Sequence, residues 1–150
     1  METLYVCAAT FTASFLSGVL PLVSIEAYLL GVAALAPGCP PLLVVAVAAL
    51  GQMSAKLLLY LGGRGVLRIP LRGRERVAAA AARLGRSPTS PPLIVFGSAF
   101  SGLPPFYVVS VAAGFLRFRV ATFLVAGLAG RFLRFGAVIL LPHVIGEAVR

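Results

Sequence analysis

The chain has 150 residues, of which 60% are hydrophobic and only 11% are charged, and its formal net charge is +9. An ordinary soluble domain carries about 25% charged residues, so this composition excludes that class. An excess of basic residues is also typical of nucleic-acid-binding proteins, but here they flank apolar segments and no base-stacking aromatic pattern accompanies them. We therefore predict a single all-α integral membrane domain over residues 1–150, whose charge reflects its orientation in the membrane.

The first apolar stretch, residues 4–36, contains one charged residue, Glu26. An acid within hydrocarbon costs about 2.5–3.5 kcal/mol on insertion scales, and such residues generally mark a site or a transport route. Pro21 interrupts a helix just upstream, with Ser24 in the same break, and backbone broken at membrane depth must be covered by protein or line a water-filled cavity. We predict a re-entrant hairpin with its tip at Pro21 and Ser24. The alternative is a Pro-kinked helix in which Glu26 only pairs with an Arg.

The middle of the chain changes from an apolar span to a basic loop. Residues 42–61 form a full-length span whose one charge, Lys56, lies close enough to the cytoplasmic end to snorkel toward it. Residues 62–92 hold seven Arg and include a predicted short surface helix at 74–84. We interpret this loop as an orientation signal that also contacts anionic lipid.

The second half repeats the plan of the first. Residues 93–116 contain two apolar arms, each too short to span a bilayer, and we predict a second re-entrant hairpin here. The residues that break it are Gly102, Pro104 and Pro105. Residues 120–141 then form a second full-length span, which carries Arg131 and Arg134.

The basic residues predict the orientation of these segments. Nine of the thirteen lie at 64–86 and at positions 117 and 119, which places both regions in the cytoplasm by the positive-inside rule. Both termini are then extracytoplasmic, and the plasma membrane is the expected location. The hairpins enter from opposite sides, so the predicted fold is two inverted repeats, each a re-entrant helical hairpin followed by a transmembrane helix. The alternative is a six-helix bundle with Pro kinks.

Short motifs in both halves resemble the DedA/VTT (SNARE-associated) family of membrane proteins, and its YqaA-like branch in particular. In the first half these are Pro21-x-x-Ser24-x-Glu26, Leu50-Gly51 and Tyr60-x-Gly62-x-Arg64-Gly65. In the second half they are Leu103-Pro104, Ala113-Gly114-Phe115-Leu116, Phe123 and Gly130-Arg131-Phe132-Leu133-Arg134-Phe135. The resemblance covers most of the chain, from about Phe15 to Leu141.

The resemblance implies a pair of opposed re-entrant hairpins and the handling of lipid-linked phosphates or other solutes, often tied to the proton gradient. The chain departs from the family in two places. It lacks the Asp or Asn that members usually carry near Lys56. It also has Ala99, Ser101 and Gly102 where many members have an Arg or an acid before the second Pro turn. These departures concern the proton coupling more than the fold.

The charged residues themselves allow two interpretations. Glu26 can change its protonation with its access to water, which suits a proton relay. Arg131 and Arg134 are three residues apart and share a helix face, and two guanidinium groups on one face suit a phosphate or a carboxylate. The alternative is structural: the two Arg neutralise Glu26 and cap backbone carbonyls at the hairpin tips.

Two functions therefore remain open from the sequence. The first is a transporter or flippase for an anionic lipid, such as a lipid-linked phosphate, or for a small solute, with Glu26, Arg131 and Arg134 as the substrate and proton route. The second is a non-transporting membrane scaffold whose buried charges are structural. The expected partners are membrane lipids, the anionic head group or solute, and a second copy of the chain, whereas nucleic acid is not expected.

We predict no enzyme activity, no metal site and no cofactor. The Ser residues have no His or Asp partner in plausible reach, and the single His and two Cys lack metal-ligand spacing. Cys7 and Cys39 both fall near the outer end of the first hairpin, and whether they form a disulfide is left open.

The charge asymmetry makes a direct prediction about topology. An epitope at either terminus should be accessible to antibody on intact cells, whereas one introduced at Arg74 should be accessible only after permeabilisation. The opposite labelling pattern would contradict the predicted orientation.

Overall fold

The computed structural model describes residues 2–20, 24–65, 74–86 and 90–148. These residues form seven α-helices and no strand. The helices are α1 (Glu2–Val19), α2 (Ile25–Leu35), α3 (Pro41–Gly63), α4 (Arg74–Arg86), α5 (Pro91–Ser101), α6 (Phe106–Phe115) and α7 (Val120–Ala148). The prediction of an all-helical chain is confirmed for this described part.

Two of the described helices are long and apolar enough to cross a membrane: α3 and the segment Val120–Leu141 of α7. At about 1.5 Å per residue, each exceeds the ~30 Å thickness of a hydrocarbon core. Pro41 begins α3 because the first helical position needs no N–H donor, and Gly63 ends it. The apolar helices α2, α5 and α6 have only ten or eleven residues, so each is too short to cross alone.

The helices of the two halves make corresponding contacts. In the first half α1 packs along α3, and in the second half α5 packs along α7. The short second arm of each half then packs against the long helix of the other half, α2 on α7 and α6 on α3. Because α3 and α7 also contact each other, they form the centre to which the shorter helices attach.

Two hydrophobic clusters fill the interior. One lies between α2, α3 and α7 and includes Leu29, Val45 and Phe135. The other lies between α3, α5, α6 and α7, where the Tyr60 and Phe123 rings stack with centroids 5.0 Å apart. The predicted surface helix at 74–84 corresponds to α4, which extends to Arg86 and buries one face in this second cluster. The buried α4 residues are Ala80, Ala81 and Leu84.

Two glycines at matching positions allow close helix contacts. Gly51 is the eleventh residue of α3, and Gly130 is the eleventh residue of α7. A Cβ at Gly51 would lie 2.6 Å from the Phe11 carbonyl oxygen of α1, and one at Gly130 would lie 2.7 Å from the Phe96 carbonyl oxygen of α5. Small residues at such crossings let backbones approach closely, which is a common way of joining membrane helices.

The predicted helix breaks fall between α1 and α2 and between α5 and α6. Ser24 is the N-cap of α2, and its hydroxyl accepts a hydrogen bond from the Ala27 amide at 3.4 Å. Gly102 ends α5 with φ of 79°, a left-handed conformation that favours glycine. Pro105 is the N-cap of α6, and the Pro104 carbonyl accepts a hydrogen bond from the Ser98 hydroxyl at 2.7 Å. Pro21 lies outside the described residues.

Cys7 and Cys39 are both free thiols in this structure. Cys7 lies on α1, and Cys39 lies buried in the turn between α2 and α3.

Replacing Gly130 by Ala should lower the thermal unfolding temperature of the purified protein. The new Cβ would lie 2.7 Å from both the Ala99 side chain and the Phe96 carbonyl, so α5 has to move away from α7. Gly136→Ala is the matched control in the same helix, because nothing lies within 4 Å of a Cβ there. The control should be neutral or stabilising, by up to about 1 kcal/mol. Equal effects of the two changes on the unfolding temperature would contradict the close packing.

Candidate functional site

Glu26 forms an ion pair with Arg134. Glu26 lies in the first turn of α2, and its Oε1 accepts hydrogen bonds from Arg134 Nε at 3.0 Å and pairs with Nη2 at 2.9 Å. This two-pronged contact matches the planar fork of a guanidinium. Both side chains remain about 30% exposed, at 29% for Arg134 and 30% for Glu26. The pair is therefore neither fully dry nor free in solvent.

The same Arg134 side chain also contacts the end of α5. Its Nη1 donates a hydrogen bond to the Phe100 carbonyl at 3.0 Å. A Cβ at Gly102 would lie 2.9 Å from this Nη1 atom, so the glycine leaves room for the guanidinium as well as allowing the left-handed turn. Arg134 thus fulfils the structural alternative raised by the sequence, since it neutralises Glu26 and caps a carbonyl beside a helix break.

Arg131 does neither of these things. Its side chain is 8% exposed, and its guanidinium carbon lies 4.9 Å from the centroid of the Phe106 ring and 5.9 Å from that of Phe135. Its Nε atom is buried and has no hydrogen-bond partner among the residues that the structure describes. Cation–π contacts of this kind partly compensate a buried cation, but they provide no counter-charge.

Lys56 is buried, so the prediction that it snorkels to the cytoplasmic end is wrong. Its side chain is 6% exposed, and Nζ donates a hydrogen bond of 2.6 Å to the Gly18 carbonyl near the end of α1. The physical reason is that α1 ends beside the middle of α3 and leaves carbonyls without intrahelical partners there. Lys56 therefore bonds the nearby Gly18 carbonyl and does not extend to the membrane interface.

The contacts of Lys56 and Arg134 correspond to each other. Gly18 is the next-to-last residue of α1, and Phe100 is the next-to-last residue of α5. In each half, a cation on the long helix (α3 or α7) therefore donates to a carbonyl near the end of that half's first helix (α1 or α5). Cations are favourable at this end of a helix because its unpaired carbonyls carry partial negative charge.

A small uncharged network adjoins Lys56, and sequence reasoning missed it. Gln52 Nε2 donates to the Ser17 hydroxyl at 2.8 Å, and that hydroxyl donates to the Ser14 carbonyl at 3.2 Å. Gln52 Oε1 and Ser14 Oγ are buried and have no hydrogen-bond partner in the described part of the chain. The available signal was the spacing of Gln52 and Lys56, four residues apart on one face of an otherwise apolar helix.

We call Glu26, Lys56, Arg131 and Arg134 the central charged cluster. Lys56 and Arg131 are close enough to repel each other electrostatically, and Arg131 also interacts with both Arg134 and Glu26. Of the three cations, only Arg134 is paired with the one carboxylate. Uncompensated buried charge is costly, so an anion that enters beside Arg131 and Lys56 would gain from both. The described residues contain no group of three or more His, Cys, Asp and Glu side chains that could hold a metal ion.

Comparison with known protein families, with curated proteins and with solved structures finds no match to this chain. The DedA/VTT resemblance therefore stays a prediction from the motifs alone.

Glu26→Gln and Arg134→Gln should each lower the free energy of unfolding, and the double variant should lose less than the sum. We expect a coupling energy of about 1 kcal/mol, since the two side chains form a direct pair that remains partly exposed. Chemical unfolding in detergent micelles, followed by circular dichroism, measures it. The cycle of Glu26→Gln with Arg119→Gln is the control, because Arg119 is exposed in the turn before α7 and does not interact with Glu26. A coupling as large in the control cycle would contradict the assigned pairing.

Proposed function

We propose that the chain is an integral membrane transporter or flippase that moves an anionic lipid head group or a small anionic solute past the central charged cluster. One observation carries this proposal. Arg131 interacts electrostatically with Lys56, Arg134 and Glu26, and its guanidinium, the most buried of the cluster, has no hydrogen-bond partner for Nε among the described residues. Guanidinium groups recognise phosphate and carboxylate through planar, charge-assisted hydrogen bonds.

The depth of the cluster supports transport more than surface binding. Arg131 lies at the centre of the segment Val120–Leu141, and Lys56 lies about 6 Å past the centre of α3. Ionisable residues at mid-span are costly in hydrocarbon and generally mark substrate or ion routes. An anion that reaches both cations would have crossed half of the bilayer.

We further propose that α1–α2 and α5–α6 are opposed re-entrant hairpins in two inverted repeats. The corresponding helix contacts of the two halves support this, as do the matching positions of Gly51 and Gly130. The contacts of Lys56 and Arg134 with Gly18 and Phe100 support hairpin tips near mid-depth. Inverted repeats with broken helices that meet near the midplane are typical of secondary transporters.

The family and the location are part of the same proposal. The two candidate spans support a membrane protein, and the order of the motifs favours the DedA/VTT family. We propose the plasma membrane, with both termini extracytoplasmic and residues 62–92 in the cytoplasm, because of the basic residues in that loop.

Glu26 provides a route to proton coupling. While it is ionised it occupies the Arg134 guanidinium. Protonation would remove its charge and weaken that pair, which would leave Arg134 available to an incoming anion. Movement of the anion would then be linked to uptake of a proton on Glu26.

The second candidate function is a membrane scaffold that does not transport. The contacts of Arg134 favour it, because a salt bridge and a capped carbonyl are sufficient structural reasons for this residue. Those reasons do not extend to Arg131, which has neither contact. Arg131 is therefore the residue at which the two functions make different predictions.

Arg131→Gln should reduce flux of labelled lipid phosphate or small phosphate anions by at least tenfold in reconstituted vesicles, because it removes the unpaired guanidinium. Arg119→Gln is the matched control, since Arg119 is exposed in the turn before α7 and lies outside the cluster. The control should transport like the unchanged protein.

Wild-type protein should respond to an imposed pH gradient, and Glu26→Gln should lose that response.

Absence of flux in the wild-type protein with every anion tested, together with stable folding, would favour the scaffold. Full flux and an unchanged pH response in a folded Glu26→Gln protein would exclude Glu26 as the proton carrier.

A further inference from the structure

A groove separates α4 from the helix pair α5–α6, away from the central charged cluster. Its volume is about 360 Å³, which is within the range of about 300–1,000 Å³ found for ligand pockets. The residues of α5, α6 and the turn between them that line it are apolar. They are Ile94, Pro104, Pro105, Val108 and Val109.

The α4 side of the groove combines apolar and basic residues. Ala80 and Leu84 face the groove and are buried, whereas Arg76 and Arg83 line it and are exposed. The two Arg are separated by two helical turns, about 10 Å along the helix. Within the described part of the chain, neither guanidinium makes a hydrogen bond or an ion pair. The groove therefore offers a long apolar wall with two free cations at its edge.

This combination is complementary to an amphiphile with an anionic head. An acyl chain gains from the apolar wall, and a phosphate gains from two guanidinium groups that are unpaired among the described residues. Helix α4 also has the pattern of an interfacial helix, with Val77, Ala80 and Leu84 on its packed face and Arg on its free face. Such helices lie at the depth where phospholipid head groups are found.

We infer that this groove is a binding site for one anionic phospholipid, with an acyl chain between α4 and α6 and the phosphate held by Arg76 and Arg83. The site is distinct from the central charged cluster, and the inference holds whether or not that cluster transports an anion. The bound lipid would join α4 to α6 and to the turn that carries Pro104 and Pro105, which makes the position of α4 dependent on the lipid.

The test measures binding of phosphatidylglycerol and phosphatidylcholine to the full-length protein in neutral detergent by native mass spectrometry. Wild-type protein should retain one phosphatidylglycerol in preference to phosphatidylcholine. The double variant Arg76→Gln/Arg83→Gln should weaken phosphatidylglycerol binding by about tenfold or more and remove the preference. Arg86→Gln is the matched control, because Arg86 is exposed on the same helix and does not line the groove.

A second pair of variants tests the acyl-chain part of the site. Ala79→Trp places a large ring in the groove and should weaken binding of both lipids, whereas Ala82→Trp, exposed on α4 outside the groove, should not. Circular dichroism of each variant establishes that it is folded.

Four outcomes would overturn the inference. Equal losses in Arg86→Gln and the double variant would indicate general attraction to a basic helix. Unchanged lipid binding in a folded Ala79→Trp protein would mean that no chain occupies the groove. Loss of the lipid in Arg131→Gln, with the groove intact, would place it at the central charged cluster instead. Stabilisation by inorganic phosphate alone, dependent on Arg76 and Arg83, would replace the lipid by a soluble anion.

Discussion

The unpaired carbonyls at the ends of α1 and α5 are the constraint on which the centre of this molecule depends. A helix leaves its last carbonyls without intrahelical partners, and side chains or water must bond them instead. Lys56 and Arg134 each donate a hydrogen bond to one such carbonyl. The two helix ends are thus bonded to two cations, the buried Lys56 and the partly exposed Arg134, and the apolar sequence around them supplies only Glu26 as a counter-charge.

This requirement connects the fold with the proposed chemistry. Arg134 satisfies a carbonyl and the carboxylate together, so its charge has a structural explanation. Lys56 satisfies a carbonyl but has no carboxylate, and Arg131 has only the rings of Phe106 and Phe135. A buried cation that no carboxylate pairs with favours an anion site over a purely structural role. Here these cations are Lys56 and Arg131, neither of which forms an ion pair with Glu26.

Hydropathy and breaker residues were enough to predict the helices, because length and Pro or Gly position largely determine where an apolar helix ends. The predicted spans at 42–61 and 120–141 agree with α3 and α7 on this basis. The pairing within the site was not predictable to the same degree. Arg131 and Arg134 share a face but point about 60° apart around the helix, and only packing decides which one meets Glu26. Lys56 was misjudged because the end of α1 beside it is a tertiary feature.

The glycine contacts also have a mechanical consequence. Gly51 lets α1 pack closely on α3, and Gly130 lets α5 pack closely on α7. A Cβ at either position would clash with the backbone of the neighbouring helix. Helix α2 has no such close backbone contact. Only its residues Ile25 and Leu29 are buried, and nothing lies within 4 Å of a Cβ at Gly31. The sole acid of the cluster therefore lies on a helix that side-chain packing and an ion pair hold in place, without a close backbone contact. A displacement of α2 would separate Glu26 from Arg134 and leave the backbone contacts at Gly51 and Gly130 intact.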